Sequence, residues 1–187
     1  MRGRGVGGLR VIAGSRRGLR LQTPVGLDTR PITDRAKESL FGHLGDRYLL
    51  GARVLDLFAG SGALGIEALS RGAASATFVD KAAPAIRALS TNLEALGADA
   101  TVVRAEARRF LGGASRSGRS YDLVFLDPPY RLDAALASAL PEAVKAVLAP
   151  GATVVSESDR RAPLGIDLPI DDERRYGDTL IRIHGSR

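Results

Sequence analysis

Residues 54–65, VLDLFAGSGALG, limit the fold of this chain more than any other stretch. An apolar run of strand length ends in an acid, and Gly60, Gly62 and Gly65 follow in G-x-G-x-x-G spacing. The pattern predicts a strand, a tight turn and the first turn of a helix. Glycines there let the backbone come close to a ligand, and the free N–H groups of a helix start suit nucleotide-like polar groups.

The chain around this loop supplies the sheet it needs. Strands are predicted at 53–57, 75–79, 100–103 and 121–126, with helices at 63–71, 82–96 and 106–111 between them. Such alternation predicts an α/β fold around a parallel sheet, with ligands at the carboxyl ends of the strands. A polar connection at 115–120 precedes the fourth strand. A helix over 133–148, stopped by Pro150-Gly151, leads to a strand at 152–157. Apolar stretches at 164–170 and 179–183 read as closing strands, with a charged loop at 171–177. With 187 residues and 44% hydrophobic content the chain has material for one sizeable core, so one domain with a small N-terminal arm is expected.

Composition removes several functions. There is no cysteine, and His43 and His184 are the only histidines, which excludes disulfide frameworks and thiolate metal sites and argues against any metal. No apolar run approaches the ~18 residues of a membrane span. A cytoplasmic setting and a monomeric state are expected. The net charge of +6 sits at one end: residues 1–38 carry nine Lys/Arg against three acids, and the rest of the chain balances. A basic arm on a neutral body is the footprint of a protein that grips a polyanion, although a merely solvated tail has the same composition.

That arm reads as follows. Residues 9–13 and 19–21 are alternating segments around the basic turn 14–18, which predicts a β-hairpin leaning on the body and leaving Arg16, Arg17 and Arg20 to solvent or phosphates. A linker leads to Pro31 and a helix over 33–44, whose Ala36, Leu40, Phe41 and Leu44 face inward. Arg30, Thr33, Asp34, Arg35, Lys37 and Glu38 crowd its start.

Chemistry is concentrated at strand ends. Asp56 stands just before the glycine loop, where a carboxylate can accept from a cationic amino group that a nicotinamide dinucleotide lacks. Asp80 ends the second strand, 18 residues after Gly62, the expected place for an acid that holds ribose hydroxyls. Glu106 follows the third strand, where it can accept from an adenine amino group or serve only as a helix cap. The fourth strand ends in Asp127-Pro128-Pro129-Tyr130. Two prolines fix an extended turn without N–H donors, leaving the Asp127 carboxylate and the Pro128 carbonyl as acceptors for an exocyclic amino group, with the Tyr130 ring available to stack on a base.

The tetrapeptide resembles the [DNS]-PP-[YFW] motif of S-adenosylmethionine-dependent amino methyltransferases. Over nearly its full length the chain is similar to the RsmD family of 16S rRNA (guanine-N2) methyltransferases, of the guanine 966 type. The match includes the segments 10–14 (RVIAG), 30–35 (RPITDR), 55–65 (LDLFAGSGALG), 67–73 (EALSRGA), 125–130 (FLDPPY) and 176–179 (YGDT). The resemblance implies a class I, Rossmann-like methyltransferase fold with a seven-stranded, mostly parallel sheet and an antiparallel last strand. It implies S-adenosylmethionine as cofactor, held by Thr33, Asp56, Phe58, Ala59, Gly60, Ser61, Gly62, Asp80, Lys81, Glu106, Ala107 and Asp127. Asp127, Pro128 and Tyr130 are the expected catalytic residues. Arg10, Arg16, Arg17, Arg20, Arg30 and Arg35 are expected to contact 16S rRNA, within a small-subunit particle, with residues 1–30 forming an RNA-binding arm set before a methyltransferase domain of residues 31–187.

Three other readings compete. A methyltransferase acting on DNA or on a protein glutamine predicts a target-recognition insertion, for which the chain has little room. An NAD-dependent oxidoreductase accounts for the glycine spacing but not for Asp56 or the Pro-Pro turn. A non-catalytic RNA-binding protein accounts only for the arm.

Overall fold

The structure, a computed structural model, describes residues 9–24, 33–98, 100–129 and 133–185. Its frame is β1 (Arg53–Leu57), α2 (Ala63–Ser70), β2 (Ser75–Asp80), α3 (Ala83–Leu96), β3 (Thr101–Arg104), α4 (Ala107–Arg116), β4 (Tyr121–Leu126), α5 (Ala134–Lys145) and β5 (Leu148–Asp159), preceded by α1 (Asp34–Leu44) and followed by β6 (Ile170–Tyr176) and β7 (Thr179–Gly185). The sheet order is β3-β2-β1-β4-β5-β7-β6. The first five strands pair in parallel, and β7 inserts antiparallel between β5 and β6. The seven strands and the antiparallel final strand are as expected.

Both sheet faces are buried, which is why β1 and β4 read as nearly unbroken apolar runs. Alternation sends Leu55, Leu57, Val124, Leu126 and Val154 to the face covered by α4 and α5. Val54, Phe78, Leu123, Phe125 and Val155 face the other layer, made by α1, α2, α3 and the N-terminal hairpin. There Phe41 of α1 meets Phe125 with ring centroids 5.8 Å apart. Burying side chains of this size contributes about 1.5–3 kcal/mol each.

The hairpin is present and is docked firmly. Arg10 and Arg20 form an antiparallel bridge, flanked by Val11 N–H to the Leu19 carbonyl (2.9 Å) and Leu21 N–H to the Leu9 carbonyl (2.8 Å). Leu9, Val11 and Leu21 enter the same apolar cluster as α1 and α2. Gly14, at φ +84°, lies so close to α2 that an added Cβ would stand 1.9 Å from the Ser70 carbonyl oxygen. No other residue type fits there.

The C-terminal part corrects the sequence reading. Of residues 164–170, expected as a strand, only Ile170 joins the sheet: Leu164 and Ile166 are buried against the α4/α5 side outside it. The strand is instead Ile170–Tyr176, most of which was read as a charged loop. It is an edge strand, where charged side chains are tolerated and even useful. Its charges are paired, with Arg182 donating to Glu173 (2.9 Å) and Arg174 to Asp172 (2.7 Å). β5 also begins earlier than expected, at Leu148. A register shift between Tyr121 and Leu123 accommodates Pro150-Gly151, with Gly151 at φ +73°. α4 runs on to Arg116 through Gly112-Gly113, so the polar connection is shorter than expected.

Candidate functional site

Four carboxylates come together at the carboxyl ends of the parallel strands. Asp56 lies in β1, Asp80 ends β2, Asp127 follows β4, and Glu157 lies near the end of β5. By alternation from Val54, Phe78, Phe125 and Val155 they share the face that carries the hairpin, α1 and α2. Glu157 was not anticipated. The signal was available: like Asp56 and Asp127, it is an acid at the end of an apolar run, VVSE.

The glycine loop is fixed from both sides. Phe58 and Ala59 both donate to the Val79 carbonyl (2.9 and 3.0 Å), which turns the chain sharply out of β1. Among the described residues Phe58 is the only non-glycine with positive φ, +72°. Such a backbone costs on the order of 1–3 kcal/mol and is held where the surroundings require it. Gly60 N–H donates to Asp80 (2.9 Å), whose other oxygen accepts from Ala82 N–H (2.8 Å). Asp56 accepts from Gly65 N–H (2.9 Å), anchoring the start of α2. That contact depends on glycine, because a Cβ at Gly65 would stand 2.3 Å from the Phe78 ring. Gly62 caps α2 in the left-handed region, whereas at Gly60 an added Cβ would meet nothing within 4 Å, so the loop presents open backbone.

Burial shapes the electrostatics. Desolvation raises the Asp56 pKa to about 7, against the opposing Gly65 hydrogen bond, and nearby Asp127 and Asp80 push it further up. Desolvation likewise raises Asp127. Glu157 is raised by desolvation and then by the Asp127 charge, and its Oε2 is buried with no hydrogen-bond partner among the described residues. Among those residues no His/Cys/Asp/Glu group is arranged to hold a metal ion.

The remaining predicted residues divide clearly. Phe58, Ala59, Ser61 and Gly62 lie in the loop, and Ser61 is tied to α3 by Asn92, which donates to its carbonyl (2.9 Å). Lys81 and Glu106 form an exposed ion pair at 3.6 Å, with Glu106 at the N-cap position of α4. Ala107 is buried beneath them. Thr33 caps α1 by accepting from Ala36 N–H (3.2 Å). Pro128 is buried, while Tyr130 and Arg30 lie outside the described residues. Arg16, Arg17, Arg20 and Arg35 are exposed, and Arg10 donates to Asp34 (3.0 Å).

A buried pair that the sequence did not disclose joins the arm to this site. Lys37 of α1 and Glu67 of α2 are both fully buried with Nζ and Oε2 3.2 Å apart. Glu67 also accepts from Ile12 N–H (2.8 Å), Ala13 N–H (3.0 Å) and Arg71 (2.8 Å), and Lys37 donates to the Arg10 carbonyl. Burial lowers the Lys37 pKa, against the raising effect of Glu67.

A family model described as conserved hypothetical protein 95 matches residues 9–184. The Escherichia coli ribosomal RNA small subunit methyltransferase D is 44% identical over 128 residues, 68% of this chain and 63% of the relative. The chain belongs to the RsmD family. Bacillus subtilis YlbH is 40% identical over 186 residues, covering 96% of this chain and 100% of YlbH. The solved structure of Escherichia coli yhhF superposes with a TM-score of 0.83 at 35% identity, over 97% of this chain and 99% of that one. The fold is therefore the α/β, Rossmann-like class I methyltransferase fold. The RsmD family match spans the hairpin as well as the sheet, so the Lys37–Glu67 junction lies within the matched region.

Proposed function

We propose that this chain transfers a methyl group from S-adenosylmethionine to the exocyclic N2 of a guanine in 16S rRNA of the small ribosomal subunit. The observation that carries the reading is the placement of the half-buried Asp127, followed by Pro128-Pro129, beside the glycine loop and its two acids. Membership of the RsmD family supports rRNA as the substrate, since its Escherichia coli relative is named for that activity.

The residues fit the cofactor. Asp56 is a desolvated carboxylate at the loop, and a cationic amino group is the partner that makes its ionised form favourable. Asp80, held by two backbone N–H groups, keeps further lone pairs for ribose hydroxyls. The open backbone at Gly60 lets a ligand approach closely. When bound, S-adenosylmethionine supplies a methyl already activated by the sulfonium.

The chain's own work is alignment. Guanine N2 is a weak nucleophile because its lone pair is delocalised into the ring. Hydrogen bonds from its two N–H groups to Asp127 and the Pro128 carbonyl hold it in line and stabilise the positive charge that develops on nitrogen. Asp127 then takes the released proton, which its raised pKa favours. Tyr130 stacks on the extruded base. Arg10, Arg16, Arg17, Arg20, Arg30 and Arg35 hold rRNA phosphates, with residues 1–30 acting as the RNA-binding arm.

The test is methyl transfer from labelled S-adenosylmethionine to small-subunit particles by the purified chain. Label in 16S rRNA as N2-methylguanine is expected, and Asp127→Ala should reduce it at least about 100-fold. Label in DNA, protein or another base would refute the reading.

A further inference from the structure

We propose that Glu157 is the residue that selects guanine, accepting a hydrogen bond from the N1–H of the target base while Asp127 engages its N2 amino group. This deepens the proposed function and rests on it.

The first ground is register. β4 and β5 run parallel with Phe125 opposite Val155 and Leu126 opposite Ser156. One step further, Asp127 stands beside Glu157, and the alternation that puts Phe125 and Val155 in the same apolar cluster puts both acids on one face. Neighbouring parallel strands lie about 4.8 Å apart, so side chains that lean together from adjacent strands can reach neighbouring N–H groups of one base edge. The second ground is side. Along the sheet the order is β2, β1, β4, β5. Asp80 and Asp56, assigned to the cofactor, lie on one flank of Asp127, and Glu157 lies on the other. A base whose N2 is pointed at the cofactor from Asp127 extends toward that second flank.

The third ground is an unspent acceptor. Glu157 Oε2 is buried and has no partner among the described residues. The residues opposite it on β7 give no counter-charge: Glu157 pairs in register with Ile181, and the nearby Arg182 is committed to Glu173 at 2.9 Å. A buried acceptor left unsatisfied is unfavourable, and such groups concentrate where a ligand completes them.

Base chemistry then chooses the role. Guanine places two donors side by side, N1–H and the N2 amino group, so two adjacent carboxylates match that edge. Adenine and cytosine present a ring-nitrogen lone pair where guanine presents N1–H, and an ionised Glu157 repels it. Asp127 alone recognises an amino group of any base. The neighbouring acid supplies the distinction between guanine and the others.

The experiment uses 16S rRNA carrying either guanine or 2-aminopurine at the methylated position, assembled into small-subunit particles and assayed with labelled S-adenosylmethionine at alkaline pH. 2-Aminopurine keeps the N2 amino group and lacks N1–H. The wild-type chain is expected to prefer guanine by about 10- to 100-fold in kcat/KM, the worth of one hydrogen bond to a charged group. Glu157→Ala should bring the two substrates within about threefold of each other. Glu157→Gln, which keeps shape and a neutral acceptor, should lose at least about fivefold of the preference and carries the test if the alanine variant does not fold. Equal loss on both substrates would reduce Glu157 to a structural role, and equal use of both by the wild type would overturn the assignment outright. Failure of the wild type to methylate the guanine particle at all would instead refute the proposed function, and the assignment with it.

Discussion

Asp56 shows how one buried side chain ties folding to binding. Its pKa of about 7 lies above the ordinary 3.8 because burial penalises the charge, so the folded, ligand-free chain holds a proton that the unfolded chain releases. For this group stability is highest below about pH 4 and is progressively lost as pH rises from there to about 7. A bound ammonium reverses the preference, since it favours the carboxylate. Binding of S-adenosylhomocysteine, which keeps that amino group, should therefore weaken as pH falls below about 7 and should release up to one proton near pH 6 to 7. Calorimetry in buffers of different ionisation enthalpy measures this directly. Asp56→Asn should abolish the proton release and cost at least about tenfold in affinity.

Gly65 belongs to the same scale. Its role in G-x-G-x-x-G suggests ligand approach, yet the structure gives it a packing reason: a Cβ would collide with Phe78 and crowd Asp56. Gly65→Ala should cost about 1–3 kcal/mol in denaturant unfolding, because overpacking forces neighbours to shift. The spacing of the glycines was legible in the sequence, and the division of labour among them was not. Gly60 opens to the site, and Gly62 and Gly65 serve helix α2. Glu157 was missed because one acid at the end of one strand is ambiguous until register puts it beside another.

At the level of elements, the strand and helix order up to β5 was readable because both faces of the parallel sheet are buried and the central parts of its strands are mostly apolar. β6 was not readable. An edge strand satisfies itself with cross-strand ion pairs, and its DDERRY pattern carries no hydrophobic period. The apolar residues just before it, Leu164 and Ile166, misled because burial does not require a strand. The hairpin was readable as a hairpin, but its attachment through Lys37 and Glu67 was hidden, since a lysine and a glutamate 30 residues apart look like surface charges. Breaking that buried pair leaves a charge without its partner. Glu67→Ala should destabilise the chain by about 3–5 kcal/mol in denaturant unfolding. Hydrogen exchange at Ile12 and Ala13, whose amides Glu67 accepts, should accelerate. Unchanged exchange there would mean that the hairpin is held by its apolar contacts and its hydrogen bonds to Ser70 and Asn92, without Glu67.

For the molecule as a whole, charge distribution and fold point the same way. Acids and bases of the C-terminal strands are largely paired with each other, whereas Arg16 and Arg17 stand exposed in the turn of the docked hairpin and Arg20 on its second strand. If they hold phosphates, replacing all three with alanine should lower the slope of log K against log salt for rRNA binding by about 2, at roughly 0.7 per contact to single strands. S-Adenosylhomocysteine binding should not change. The central claim is the identity of the product, and mass spectrometry of 16S rRNA nucleosides tests it most directly, in cells lacking this chain and in the same cells given back the wild type or Asp127→Ala. One N2-methylguanine should disappear with the chain, return with the wild type and stay absent with Asp127→Ala. An unchanged set of N2-methylguanines in cells lacking the chain would contradict the account.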